Sequence, residues 1–188
     1  MNMEALAEKT RALLSSGQIA YVPDRFNAYA LEWLDNIRDW ALSRQIWWGH
    51  RIPAWYCLHC SRDGLIPMGG LNPEKAFAEG SFRVSVADGA KPHVRVHKPD
   101  ACPDCGGKEW VQDPDVLFTW FSSALWPFAT LGWPEKTDSL SYFYPTDLMI
   151  TGRDILYLWV LRMVMTSIEC RDEIPFKTVL VHPTILTK

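Results

Sequence analysis

The sequence predicts an α/β fold: a doubly wound parallel sheet carrying a small zinc-binding β module. Three observations predict it. Two strand-like apolar runs, 147–152 and 177–186, flank the apolar helix-like run 155–168. Strand, helix and strand in that order, with both strands continuously apolar, make the βαβ unit of a parallel sheet. Two Cys-x-x-Cys knuckles, Cys57/Cys60 and Cys102/Cys105, bracket a middle segment. Finally, the stretch 113–127 crowds Phe118, Trp120, Phe121 and Trp126 around Ser122 and Ser123. Aromatic walls beside a few polar groups are what a small-ligand pocket is built from. On residue type alone the same stretch also suits a dense hydrophobic core.

A chain of 188 residues can bury one good core, or one core with a satellite module. Its 48% hydrophobic and 22% charged content fit an ordinary globular protein. The formal net charge of −3 gives no global basic field, so nucleic-acid binding would need a local patch or further chain. The N-terminus has no apolar signal-peptide run, and 155–168 is too short to span a bilayer and contains Arg162. The cytosol is the expected compartment, with no membrane partner. Five cysteines there point to metal or free thiols rather than disulfides.

Taken in order, residues 1–16 read as an amphipathic helix with Leu6, Leu13 and Leu14 on one side and Gly17 as C-cap. Residues 18–23 are extended. From 28 to 43, Leu31, Leu34, Ile37, Trp40 and Ala41 recur at helical spacing and predict a core-facing helix. Trp47-Trp48-Gly49 breaks that period. Adjacent tryptophans point to opposite faces, so one packs inward and the other is free for a ligand, with Gly49 turning the chain. Within 81–98, Phe82, Val84, Val86, Val94 and Val96 alternate around Asp88-Gly89, a hairpin pattern. Residues 130–141 form a loop. A buried strand ending at Gly152 follows, with Asp154 as N-cap of the next helix. A polar turn at 169–175 leads to the last strand. The chain opens into a helix and stops just after an apolar strand, which reads as a piece of a longer polypeptide.

The four knuckle cysteines are the most specific local signal. They place four thiolates for one tetrahedral Zn²⁺, and Gly106-Gly107 suits a turn that aims amides at sulfur. Four such ligands leave no open position, so this zinc is structural. His59 is a weaker spare ligand and Cys170 an ordinary buried thiol. Gly152-Arg153-Asp154 sits at a strand-to-helix junction, where a parallel sheet collects ligands. Its carboxylate suits ribose hydroxyls. The same residues also suit a strand end and a helix cap. Trp48 and Trp120, if they converge, make a flat-walled slot for a small branched aliphatic group. Such a slot discriminates poorly against an isostere carrying a hydroxyl.

Four segments together resemble the valyl-tRNA synthetases, which are class I aminoacyl-tRNA synthetases. They are Ser43-Arg-Gln-Ile-Trp-Trp-Gly-His-Arg-Ile-Pro-Ala-Trp-Tyr-Cys57, Asp113-Pro-Asp-Val-Leu-Phe-Thr-Trp-Phe-Ser-Ser-Ala-Leu-Trp-Pro127 with its continuation to Pro134, Tyr144-Pro-Thr-Asp-Leu-Met-Ile-Thr-Gly-Arg-Asp-Ile155, and Phe176-Lys-Thr-Val-Leu-Val-His182. Ser122-Ser123-Ala124 looks valyl; isoleucyl relatives usually carry Asp-Ser-Gly there.

The resemblance implies the second half of a Rossmann-like class I catalytic domain with an inserted zinc module. Residues 1–27 would be the exit arm from an editing insertion, 28–54 a catalytic-domain helix and pocket loop, 55–112 the zinc module, and 113–188 the rest of the catalytic half. The full enzyme would activate valine with ATP and Mg²⁺ and transfer it to tRNA(Val). On this resemblance Trp48, Val116 and Trp120 line the valine pocket. Gly152 and Asp154 face the ATP ribose, His182 lies near the adenine, and Cys57, Cys60, Cys102 and Cys105 hold zinc. The HIGH and KMSKS motifs of the family would fall outside the chain. No catalytic residue is therefore expected within it, and the chain alone is expected not to activate valine. Phe118 stands where the family usually has Asp, and Arg153 where relatives are often aromatic or apolar.

Overall fold

In the computed structural model, which describes residues 1–46, 48–61, 64–67, 84–86 and 89–184, the apolar run after Gly152 does join two neighbouring parallel strands. The described residues divide into two units, Met1–Leu42 with Thr119–Lys188, and Ser43–Phe118.

The first unit opens with helix α1 (Glu4–Ser15), strand β1 (Ala20–Val22) and helix α2 (Arg25–Asp35). The buried residues of α1 are Ala7, Thr10 and Leu14, so its inward stripe differs from the Leu6–Leu13–Leu14 stripe expected. Gly17 takes φ +75°, the left-handed turn that ends the helix, and its N–H donates to Leu14 O. The helix expected over 28–43 is shifted and shorter. Past Asp35 the ladder is broken because other acceptors compete for it: Trp40 N–H donates to Met1 O at 3.0 Å, and Asp39 accepts from Met3 N–H at 3.1 Å. Trp40 is nevertheless buried, with the Arg162 guanidinium 3.9 Å from its ring centroid and Phe121 edge-on at 6.3 Å.

Between residues 119 and 143 lie three short helices, α3 (Thr119–Ala124), α4 (Trp126–Ala129) and α5 (Asp138–Phe143). Thr137 caps α5 by accepting from Leu140 N–H at 3.0 Å. Strand β9 (Thr146–Gly152) leads through one π-helical turn (Leu156–Val160) into α6 (Leu161–Arg171) and then strand β10 (Phe176–His182). The sheet order is β1-β10-β9, all parallel, with Gly152 paired to His182. Leu156, Val160, Leu161, Met163 and Val164 are fully buried, as an all-round apolar helix demands. Strand β9 departs from the expected buried strand. It is a sheet edge, and Leu148 and Ile150 on one face are 50% and 57% exposed. Asp154 does not cap the helix: Ile155 precedes the π turn, with no side-chain cap. Cys170 is exposed rather than buried, and α6 runs on to Arg171, where Asp172 ends it at φ +56°.

The second unit is built around strand β3 (Ala54–Cys57), which lies between β6 (Pro92–Val94) and β7 (Trp110–Gln112) in an antiparallel sheet. Strand β2 (Ser43–Arg44) pairs with β8 (Val116–Leu117), so the unit is wider than 55–112. Strands β4 (Leu65–Pro67) and β5 (Val84–Val86) pair with each other. The alternating valines therefore do not form one hairpin: β5 pairs with β4, and β6 with β3. Phe82 and Asp88 of that pattern, and Trp47, lie outside the described residues. Among the described residues of this unit, two small cores form, Ala54–Tyr56–Leu65 and Cys57–Cys102–Trp110.

Candidate functional site

Four cysteine sulfurs cluster in the second unit. Cys57 enters from the end of β3, Cys60 from the turn after it, and Cys102 and Cys105 from the loop before β7. Their four Sγ atoms all lie within 4.8 Å of one another. Cys57 and Cys105 are 3.7 Å apart, Cys60 and Cys102 3.9 Å. Zn–S bonds of about 2.3 Å in a tetrahedron put sulfurs about 3.8 Å apart, so the four fit Zn²⁺. Gly107 N–H donates to Cys105 Sγ at 3.4 Å, and a Cβ at Gly107 would sit 3.3 Å from that sulfur. His59 is exposed and outside the cluster. Hydrogen bonding to Cys105, with desolvation and the other thiols adding to it, pushes Cys60 up to about 12. Desolvation also raises Cys57. At Cys102 desolvation is outweighed by the amides of Asp104 and Cys105, which hold the thiol down to about 7.

Asp113-Pro114-Asp115 is a structural fastening. Asp113 accepts from Tyr56 Oη at 3.0 Å and from Asp115 N–H at 2.9 Å, forming a local turn. Desolvation, then the Asp113 charge, pushes the Tyr56 phenol up to about 12. This turn delivers Val116 into β8. A Cβ on Gly49 would come within 2.9 Å of Val116 Cγ2, and Leu117 N–H donates to His50 O at 2.7 Å. The structure thus brings the backbone at Gly49 against Val116, while the side chain of neighbouring Trp48 is 85% exposed. Trp120 belongs to the first unit, at the start of α3. Its carbonyl accepts from Ser123 Oγ at 3.3 Å, and Ser123 O accepts from Trp159 Nε1–H at 3.1 Å. Phe118 lies under the Arg44 guanidinium, 4.0 Å from its ring centroid.

At the carboxyl edge of the parallel sheet, Gly152 and His182 are register partners, and a Cβ at Gly152 would meet His182 Nε2 at 3.4 Å. His182 Nδ1 lies 2.8 Å from Pro183 O, and donating to it leaves Nε2 toward the edge. Asp154 follows on an exposed turn. Beside them a cleft of about 520 Å³ is lined by Pro23, Arg25, Tyr29, Arg153, His182 and Thr184, among others. Arg25 and Tyr29 join this cleft through the pairing of β1 with β10, which is not visible in the order of residues.

The family model for class I tRNA synthetases (I, L, M and V) matches residues 1–188, and the chain belongs to this family. It is 44% identical over 182 residues to the valine–tRNA ligase of Clostridium tetani, covering 97% of the chain and 17% of that protein. The valine–tRNA ligase of Carboxydothermus hydrogenoformans is 44% identical over 186 residues, or 99% of the chain and 18% of the relative. That of Thermus thermophilus is 42% identical over 186 residues, again 99% of the chain and 19% of the relative. The chain thus spans less than a fifth of the length of these relatives. In fold it resembles an Agrobacterium radiobacter LeuRS solved as a ternary complex with tRNA and LeuAMS, with TM-score 0.50 and 20% identity over 79% of the chain and 19% of the LeuRS.

Proposed function

We propose that the chain is the second half of the catalytic domain of a valine–tRNA ligase. The observation that carries this reading is the likeness to enzymes of that name over nearly the whole chain. Trp48, Val116 and Trp120 are each assigned to the valine side chain by the resemblance to those enzymes. Gly152 and Asp154 take the ATP ribose, and His182 lies by the adenine, with Mg²⁺ accompanying the triphosphate. The pairing of Gly152 with His182 supports this assignment, because a parallel sheet binds ligands at its carboxyl edge. Zn²⁺, held by Cys57, Cys60, Cys102 and Cys105, keeps the Ser43–Phe118 unit folded and takes no part in the reaction. Residues 1–27 are the exit arm of an editing insertion, and the zinc module is the core of the Ser43–Phe118 unit. The partners are valine, ATP, tRNA(Val) and the remainder of the synthetase, in the cytoplasm. No helix among the described residues is long and apolar enough to cross a membrane.

The chemistry required of these residues is placement. Flat indole walls sort the side chain by size, and the Asp154 carboxylate accepts from ribose hydroxyls. Gly152 leaves room for a sugar beside His182. Titration of the chain with Mg-ATP tests the nucleotide half. Asp154→Ala is expected to lower affinity on the order of tenfold, as loss of a hydrogen bond to a charged group does, with the melting temperature unmoved. Undiminished affinity in Asp154→Ala would contradict the assignment.

A further inference from the structure

With a net charge of −3, any RNA contact made by this chain has to be local. The second unit carries a patch of the right kind. A cleft of about 580 Å³ is lined by His93, Arg95, His97, Lys98 and Asp100, among others. Arg95, His97 and Lys98 are exposed, and Asp100 is the one acid among the described lining residues. Lys91 is a separate matter, engaged with Asp104 at 2.7 Å.

The patch stands on a fixed backbone. Arg95 N–H donates to Pro53 O at 2.9 Å, and Arg95 O accepts from Trp55 Nε1–H at 3.0 Å. Both main-chain groups of Arg95 are therefore held by the segment that forms β3. The His93 ring is edge-on to buried Trp110 at 5.1 Å. At its far end the cleft reaches Pro103, inside the second cysteine knuckle. Val96, 79% exposed, lines the cleft as an apolar group beside the cations. A guanidinium on a fixed backbone grips a phosphate bidentately at low entropic cost. Cations interleaved with apolar groups also suit a backbone of alternating phosphate and sugar.

We propose that this cleft binds the phosphodiester backbone of tRNA. The proposal rests on the reading above that tRNA is a substrate, and it assigns that contact to the zinc-held unit. Anisotropy of fluorescein-labelled tRNA(Val) with the zinc-loaded 188-residue chain tests it, at several salt concentrations. The double variant Arg95→Gln/Lys98→Gln should bind on the order of tenfold more weakly at 0.1 M salt. Its slope of log K against log salt should flatten by about two, one per lost phosphate contact. Arg95→Glu/Lys98→Glu should abolish binding, and zinc content should stay at one per chain in both. A double variant with zinc bound and the wild-type affinity and slope would overturn the proposal. So would a wild-type chain that ignores tRNA yet binds a valyl-adenylate analogue, an outcome that leaves the synthetase reading standing. Equal competition by a polyglutamate peptide would overturn it in favour of an acidic protein partner.

Discussion

Val116 and Gly49 show how narrowly single residues hold the proposed amino-acid slot. With a Cβ at residue 49 brought within 2.9 Å of Val116 Cγ2, β8 or the Trp48 loop must shift. Gly49→Ala is expected to destabilise the second unit by about 1–3 kcal/mol, the usual cost of overpacking, which denaturant unfolding of the zinc-loaded chain would measure. The thiols make a prediction of their own. Cys57 and Cys60 both titrate above their ordinary value without metal, so each must release a proton when zinc binds. With at least these two protons released, apparent zinc affinity should rise about a hundredfold or more per pH unit from pH 6 to pH 8. Competition with a chromophoric chelator across that range reads it. A pH-independent affinity would mean that the thiols are already ionised. The clustering of the four cysteines was legible because knuckle spacing is a local signal. The fate of Phe118 was not, since its Arg44 partner is reached only through the β2–β8 pairing.

Elements were legible where one period ran without competition. The strand–helix–strand run after Tyr144 shows this: its apolar residues have few other ways to be buried, and β9 and β10 lie side by side as expected. The helix predicted over 28–43 went wrong at its second half. Trp40 satisfies helical spacing, yet its burial comes from Phe121 and Arg162, both more than 80 positions away. The valine alternation around Gly89 misled for a similar reason, because period two names a strand and not its partner. One buried polar group also bridges two helices of the first unit. Thr166 Oγ1 lies 2.8 Å from Ala124 O and 3.0 Å from Arg162 O, tying α6 to α3. Thr166→Val keeps the shape and leaves Ala124 O unpaired. It should cost about 1–3 kcal/mol, seen as a lower melting temperature.

At the scale of the molecule, the two units differ in what holds them. Met1–Leu42 with Thr119–Lys188 has an extended apolar core that includes Leu14, Phe128, Leu156 and Val179. Among its described residues, Ser43–Phe118 has two small clusters and a sulfur site. Zinc removal should therefore unfold the second unit and spare the first. Amide exchange after chelation would show protection lost in β3, β6 and β7 and kept in β9, β10 and α6. Uniform loss would contradict a structural role confined to one unit. The central claim is that these residues form half of a valyl-adenylate site. Calorimetric titration with a non-hydrolysable valyl-adenylate analogue tests it most directly. Saturable binding by the 188-residue chain, weakened at least tenfold by Trp120→Ala and weaker for the isoleucyl analogue, is the predicted result. Absence of binding, or equal binding of both analogues unaffected by Trp120→Ala, would contradict it.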